Sequence, residues 1–272
     1  MRSRAAANSL AQLADGLDVV VLDYADAAAL TRAAEGCSAA VHLVGIVKES
    51  ASSTYEAAHV ASTRALVAAA AAAGLERVVY LSILGADSAH PNPCFATRGG
   101  AEALLRDAAT PAIVLRVPMV LGRGDPAALS LERRARSRFV VLLRAASLEQ
   151  PIWSGDVVDA MVGALGVPAE HATLDLAGPE SLPRSELIRR AARLLGTRPH
   201  VLSVPIGVGL AAAWLLERLS STPPVTRAML GVLDHDDAVD PGPACRKVGV
   251  TLTPLDALLE RCFKPETEPP SP

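Results

Sequence analysis

The chain has 272 residues, of which 50% are hydrophobic, 20% charged and only 3% aromatic. A folded domain with a core of alanine, valine and leucine accounts for this composition, and a disordered chain does not. The formal net charge is −3, with no Lys/Arg-rich face and no aromatic RNA-binding motif, which argues against nucleic acid as a partner.

The cysteines and the chain start give expectations about compartment. The four cysteines stand singly, without a CxxC pair, so neither a metal site nor a disulfide framework is predicted. A reducing, cytoplasmic location is expected, and the first residues show no secretory signal. The longest apolar uncharged stretch, residues 201–216, contains Ser203 and Pro205 and is too short to span a membrane. A helix lying on another protein or on a membrane surface stays an alternative there.

Short apolar runs alternate with Ala/Leu-rich helical segments through the first half of the chain. Asp26 is predicted to begin the first helix, and Gly36 and Gly74 to end the first and the second. Nearly continuous apolar strands between helices predict an α/β fold with a parallel sheet covered on both faces. The predicted strands are 18–23, 38–46, 77–84 and 111–121, and the predicted helices are 26–36, 53–73 and 98–107.

After Gly122 the alternation stops. An irregular helix is predicted over 126–146, one further strand over 172–176, and a polar, proline-rich tail after Phe263. The predicted domains are therefore a Rossmann-like domain over 1–125, a small and mainly helical lobe over 126–263, and a disordered tail over 264–272. Further helices are predicted over 155–165, 185–195, 208–219 and 224–233.

A series of short sequence words resembles one family. The words include VVLDYAD, VHLVGIVKES, YEAAHVASTRALVAAAAAAGLERVVYLSILGAD, LRVPMVLGRGD and QPIWSGDVVDA, in family order over most of the chain. They resemble the extended, atypical short-chain dehydrogenase/reductase (SDR) superfamily, which includes NAD-dependent epimerases and dehydratases. Within it, they are most similar to the subgroup of the SDR-like accessory subunit of respiratory complex I. The resemblance implies an SDR-type nucleotide-binding fold with NAD or NADP as cofactor.

The sequence departs from the family at the phosphate site. Family members begin with a strand and a GxxGxxG turn, whose free backbone N–H groups hold the cofactor pyrophosphate. This sequence has no such run, and it resembles a chain that starts where the family's second strand ends. We therefore expect the first βαβ portion to be missing, dinucleotide binding to be weak, and strand 18–23 to lie at a sheet edge beside 39–46.

The second departure concerns the proton-transfer group. SDR enzymes carry a YxxxK pair on one helix face, and here the matching positions are Cys94 and Arg98. Arg98 keeps the positive charge for a ribose hydroxyl or phosphate, whereas Cys94 is a poorly matched acid. Ser82 matches the family serine that hydrogen-bonds the reacting oxygen. The resemblance therefore implies a degenerate catalytic set of Ser82, Cys94 and Arg98.

The resemblance also implies cofactor contacts at two strand ends. Asp23 matches the acidic residue that binds the adenine amino group, and capping of a turn is the alternative role for it. Val44, Gly45 and Ile46 match the strand end that lies against the cofactor. Gly45 as an ordinary strand-end glycine is an equal alternative.

Three other positions have a structural and a functional interpretation. His59 on a helix face is predicted to bond a backbone carbonyl rather than to act in catalysis. Asp156 is predicted to cap a helix next to Trp153. The run from Gly122 to Ala127 fits GxGxxA, but a strand exit with a turn and a helix start is the preferred interpretation.

These observations lead to two hypotheses of function. The first is an NAD(P)-binding SDR relative with impaired hydride chemistry, which acts as a binding or assembly module with a protein partner. The second is an NAD(P)-dependent oxidoreductase or epimerase that acts on a small molecule. A serine hydrolase centred on Ser82 is disfavoured, since LSILG does not form the GxSxG elbow.

Overall fold

A computed structural model describes residues 18–50, 52–220, 223–232 and 234–264. Within these residues the chain forms a four-stranded sheet flanked by helices, and the predicted α/β class is confirmed. Two predictions, the absence of a first βαβ portion and most of the disordered tail, fall outside the described residues. No described helix is long and apolar enough to cross a membrane.

The described residues divide into two compact units that interleave along the chain. The first takes in the described residues up to Ser82 together with Ala86–Val114 and Pro168–Thr173, and the second takes in the remainder. The domain boundary at residue 125 stays a prediction.

The first unit contains the elements nearest to the predicted cofactor contacts. Asp26 caps the first helix by accepting a hydrogen bond from Ala29 N at 3.0 Å, and Gly74 ends α2 in the left-handed conformation with φ +69°. Strands β1 and β2 pair in parallel. The elements are α1 (Ala27–Ala33), β1 (Ala39–His42), a π-helical segment (Glu56–Ala61) continuing as α2 (Ser62–Ala73), β2 (Arg77–Ile83) and α3 (Pro93–Arg106).

The predicted strand over 18–23 is wrong. These residues form neither a strand nor a helix, and Val20 and Val21 are exposed. Strand β1 therefore stands at the end of the described sheet order, β1-β2-β3-β8, with β3 over Ala112–Val117 and β8 over Ala172–Asp175. The expected pairing of 18–23 with 39–46 is absent from the described residues.

The second unit has more strand than predicted. The helix expected over 126–146 ends at Arg136, and a parallel two-stranded ribbon follows, formed by β5 and β10. Val140 and Leu142 of β5 are buried in a core with α4, α6 and α10. Besides β3 and β8, its elements are β4 (Val120–Leu121), α4 (Pro126–Arg136), β5 (Phe139–Leu143), β6 (Leu148–Glu149), β7 (Ile152–Trp153), α5 (Ser154–Gly166), β9 (Leu182–Pro183), α6 (Arg184–Leu194), β10 (His200–Val204), α7 (Ile206–Leu219), α8 (Arg227–Val232), α9 (Gly242–Val248) and α10 (Leu255–Phe263).

Candidate functional site

Strand β1 ends at His42, earlier than the predicted strand over 38–46, and residues 43–46 follow it as a loop that we call the end of β1. This loop lies over a buried polar cluster centred on Arg98 of α3. The Arg98 guanidinium donates to the Tyr80 hydroxyl at 3.0 Å and to the Leu81 carbonyl at 2.9 Å. A Cβ on Gly45 would lie 1.9 Å from Nη2 of Arg98. Gly45 is therefore required for the close approach of Arg98, whatever else lies against it. Burial raises the pKa of Tyr80, and the charge of Arg98 opposes that rise.

His59 joins the end of β1 to α3. Its Nε2 lies 3.1 Å from both the nitrogen and the oxygen of Ile46, and its Nδ1 lies 2.8 Å from Thr97 Oγ1. Burial, assisted by the charge of Arg98, lowers the pKa of His59 to about 4, so the ring is neutral. The Thr97 hydroxyl donates to Pro93 O, so it accepts a hydrogen bond from His59 Nδ1–H. In this tautomer the unprotonated Nε2 of His59 accepts from Ile46 N. His59 thus bonds the backbone, but at the N–H of Ile46 rather than at the predicted carbonyl, and it does so from within a π-helical turn that the sequence did not reveal.

The Ser82 hydroxyl forms a hydrogen bond inside the protein. It donates to Glu102 Oε1 at 2.5 Å, and both residues are buried. A serine that hydrogen-bonds a reacting oxygen needs its hydroxyl free for that oxygen. The residue type of the family serine is present here, but its proton is directed to a carboxylate in α3.

The thiol of Cys94 is buried at the start of α3. Its Sγ lies 3.9 Å from the Ile46 carbonyl oxygen. Burial raises the pKa of Cys94, and the nearby charge of Arg98 opposes this rise. The thiol therefore stays protonated, inside the protein, against the same strand end that the family uses for cofactor.

Asp23 is the last residue of the predicted strand over 18–23 and shapes a turn. Its carboxylate accepts from Ala25 N at 3.0 Å, and its carbonyl accepts from Asp26 N at 3.1 Å. The residue is exposed, so the carboxylate is also open to solvent. The structure supports the turn-capping alternative and leaves adenine recognition as a prediction.

A groove of about 560 Å³ runs beside β1. Its wall includes every residue from Ala39 to Ile46, together with side chains of α1 and α2 such as Leu30 and Leu66. The groove therefore follows β1 and the loop after it, at the end of the sheet order that the described strands form. Only its last wall residues, Val44 to Ile46, coincide with the predicted cofactor contacts.

Two predicted positions in the second unit have structural roles. Asp156 is buried and accepts from Thr253 N at 2.7 Å and from Thr253 Oγ1 at 2.8 Å. It therefore fixes a distant segment, and the prediction that it caps its own helix is wrong. Trp153 lies under the guanidinium of Arg261, 5.5 Å from the ring centre.

The GxGxxA run is a capped turn. One carboxylate oxygen of Asp125 accepts from Ala128 N at 2.7 Å, and the other accepts from Gly122 N. These contacts direct a backbone donor of the run to the protein's own carboxylate. The structural interpretation of the run is confirmed.

Comparison with known proteins finds a match for the first part of the chain. Residues 1–119 match a family model described as NAD(P)H-binding. This part of the chain is thus similar to NAD(P)H-binding domains. A ceramide reductase from Caulobacter vibrioides (strain NA1000 / CB15N) is 28% identical over 207 residues, which are 75% of this chain and 65% of that relative. The match thus spans about two thirds of the relative's length.

Solved structures share the fold over most of the chain. A dTDP-glucose 4,6-dehydratase from Streptomyces venezuelae, with NAD bound, has a TM-score of 0.67 and 18% identity, covering 93% of this chain and 82% of that one. The UDP-glucuronic acid 4-epimerase from Bacillus cereus, in complex with NAD, has a TM-score of 0.64 and 14% identity, covering 86% and 75%. The protein therefore has the Rossmann-like fold of SDR epimerases and dehydratases.

Proposed function

We propose that the protein binds NAD(H) or NADP(H) at the end of β1 and is impaired in hydride chemistry, so that it serves as a binding module. The observation that carries this proposal is the state of the positions matching YxxxK. Cys94 is a buried, protonated thiol, and Arg98 is held inside by Tyr80 and Leu81. Neither presents a proton at the surface of the strand end.

The residues present fit a dinucleotide in part. Val44, Gly45 and Ile46 would hold its nicotinamide half, and Asp23 its adenine, while the group itself supplies hydride transfer when bound. Nε of Arg98 is buried without a hydrogen-bond partner among the described residues, so it is a donor that a ligand oxygen beside Gly45 would satisfy after a small shift. Since the printed sequence has no GxxGxxG run, we expect weak binding.

The assembly role follows from the resemblance to the complex I accessory subunit. Binding surface and proton-transfer group are separate parts of an SDR protein, so one can be kept when the other is lost. A module of this kind would use the dinucleotide to stabilise its fold and present a surface to a protein partner.

An active NAD(P)-dependent reductase is the second candidate. The similarity to a ceramide reductase favours it, and the substrate would then be a ceramide-like lipid. The proton would have to come from a group other than Cys94, Arg98 or Ser82, because all three are committed inside the first unit.

A fluorescence titration of the full chain with NADH and NADPH tests the binding. We expect saturable binding, displaced by ADP-ribose and weaker than micromolar, and we expect Val44→Asp to abolish it by placing a hydrated carboxylate in the surface that would hold the nicotinamide half. Val158→Asp, on the exposed face of α5, is the matched control and should bind normally. Failure of the wild-type protein to saturate, or equal loss in both variants, would overturn the proposal.

A further inference from the structure

Helix α7 exposes an apolar face instead of burying one. Of its 14 residues, Ala213 alone is classed as buried, and no charged residue occurs before Glu217. Val208, Leu215 and Leu219 recur on its exposed side, with exposures of 58%, 51% and 75%. Helices of folded proteins normally direct such a stripe to the core. Nothing in the part of the chain that the structure describes therefore covers this apolar face of the helix.

The ribbon that precedes α7 has the same character on its outer face. Phe139 and Val141 of β5 and Leu202 of β10 are more than 60% exposed, whereas Val140 and Leu142 between them are buried. Val141 and Leu202 stand opposite each other in the register. Only Pro205 separates β10 from α7, and Gly209 of α7 packs on the Leu143 side chain. Ribbon and helix together form what we call the apolar surface: Phe139, Val141, Leu202, Val208, Trp214, Leu215 and Leu219.

Arginines stand beside the aromatic members of this surface. The Arg218 guanidinium lies 4.4 Å from the centre of the Trp214 ring, and that of Arg138 lies 5.4 Å from Phe139. Glu217, the acid on α7, is neutralised by Arg227 at 2.8 Å. Arg138 and Arg218 thus place two positive charges beside the aromatic rings of the surface, although the whole chain carries −3.

We propose that the apolar surface docks on an anionic lipid membrane. Apolar and aromatic side chains flanked by arginine are the pattern of helices that lie in the headgroup region, where the rings insert and the cations meet anionic lipid. A surface that binds a protein partner more commonly has an apolar centre surrounded by a rim of mixed polar residues. The proposal is independent of dinucleotide binding, since every residue in it belongs to the second unit.

Co-sedimentation of the full chain with vesicles tests the proposal. We expect binding to vesicles of phosphatidylcholine with phosphatidylglycerol, and weaker binding to phosphatidylcholine alone. Leu215→Glu should lower the affinity for the mixed vesicles at least about tenfold, because it replaces an apolar side chain that would insert into the lipid by a negative charge that anionic lipid repels. Val162→Glu on α5, where the apolar residue is also 63% exposed, is the matched control and should bind like wild type.

A second variant keeps the test decisive if Leu215→Glu fails to fold. Arg138→Gln with Arg218→Gln should reduce binding to the anionic vesicles about fivefold per arginine and leave binding to phosphatidylcholine unchanged. Absence of wild-type binding to either vesicle, or equal loss with Val162→Glu, overturns the proposal. So does a dimer in light scattering that becomes a monomer in Leu215→Glu, which would make the surface an interface between copies of the chain.

Discussion

The two units differ in which side chains they bury and which they expose. At the end of β1 in the first unit, polar side chains point inward and satisfy one another, as Arg98 does with Tyr80 and Ser82 with Glu102. At α7 and the ribbon in the second unit, apolar side chains point outward and lack a cover among the described residues. The difference teaches that Ser82, Cys94 and Arg98, the positions predicted to form a catalytic set, lie in a core here, while the exposed apolar side chains of the second unit lie elsewhere.

The largest expected effect is at Gly45. Gly45→Val should destabilise the protein by about 3 kcal/mol, because its side chain would occupy the space of the Arg98 guanidinium and displace a buried charge. Urea unfolding measures this loss. If Arg98 is the reason for the glycine, Gly45→Val with Arg98→Ala should recover a large part of it. A double variant no more stable than Gly45→Val would show that another neighbour requires the glycine.

Loss of the Asp156 carboxylate should have the next largest effect. Asp156→Ala removes the acceptor for two hydrogen bonds from Thr253 inside the second unit and should cost about 2 kcal/mol. Asp159→Ala, on an exposed position of the same helix, should change stability by less than about 0.5 kcal/mol. Equal effects in thermal unfolding would refute the assigned role of Asp156.

Acid should weaken the first unit through its two buried histidines. Burial, with the charge of Arg98, lowers the pKa of His42 and of His59 to about 4 from 6.5. Between about pH 6.5 and pH 4 these histidines bind protons in the unfolded chain but not in the folded one. Their contribution to the free energy of unfolding is therefore complete above about pH 6.5 and falls as the pH drops towards 4. We expect a loss of about 2 kcal/mol per histidine at about pH 5. The urea midpoint should lose most of this pH dependence in His42→Gln with His59→Asn, and an unchanged slope would contradict the argument.

The smallest effect on stability is expected at Leu43, the residue after β1. Leu43 is 58% exposed at the groove, beside the strand that ends the described sheet order, and an exposed apolar residue at such an edge promotes pairing between chains. Leu43→Lys should leave the unfolding midpoint nearly unchanged and slow aggregation measured by light scattering. Val158→Lys on α5 serves as the control, and an equal slowing there would mean that added charge alone is responsible.

Local signals in the sequence predicted local features of the fold. Asp26 and Gly74 act through their own side chain and backbone, so the helix boundaries they set were foreseen. The strand over 18–23 was wrong, because an apolar run becomes a strand only when another strand pairs with it. Strand β5 was missed because RFVVLL follows a helical, arginine-rich pattern without a turn residue between them.

The sequence predicted which residues form the candidate site, but not which partners their side chains bind. The spacing of Cys94 and Arg98 placed both on one side of α3, near the end of β1. That Arg98 binds Tyr80, and Ser82 binds Glu102, depends on how α3 packs on β2, which no local pattern encodes. The π-helical turn that carries His59 likewise has no signal in the sequence.

The central claim is that the chain binds a dinucleotide while Cys94 takes no part in proton transfer. The most direct test measures NADPH binding and the reduction of a long-chain ketone in the same samples of wild type and Cys94→Ser. We predict equal binding in both, and a slow turnover that the substitution leaves unchanged within about twofold, since general acid catalysis would be worth about 10²–10⁴ in rate. A brisk wild-type turnover, whether or not Cys94→Ser abolishes it, would contradict the account and make the protein an active reductase.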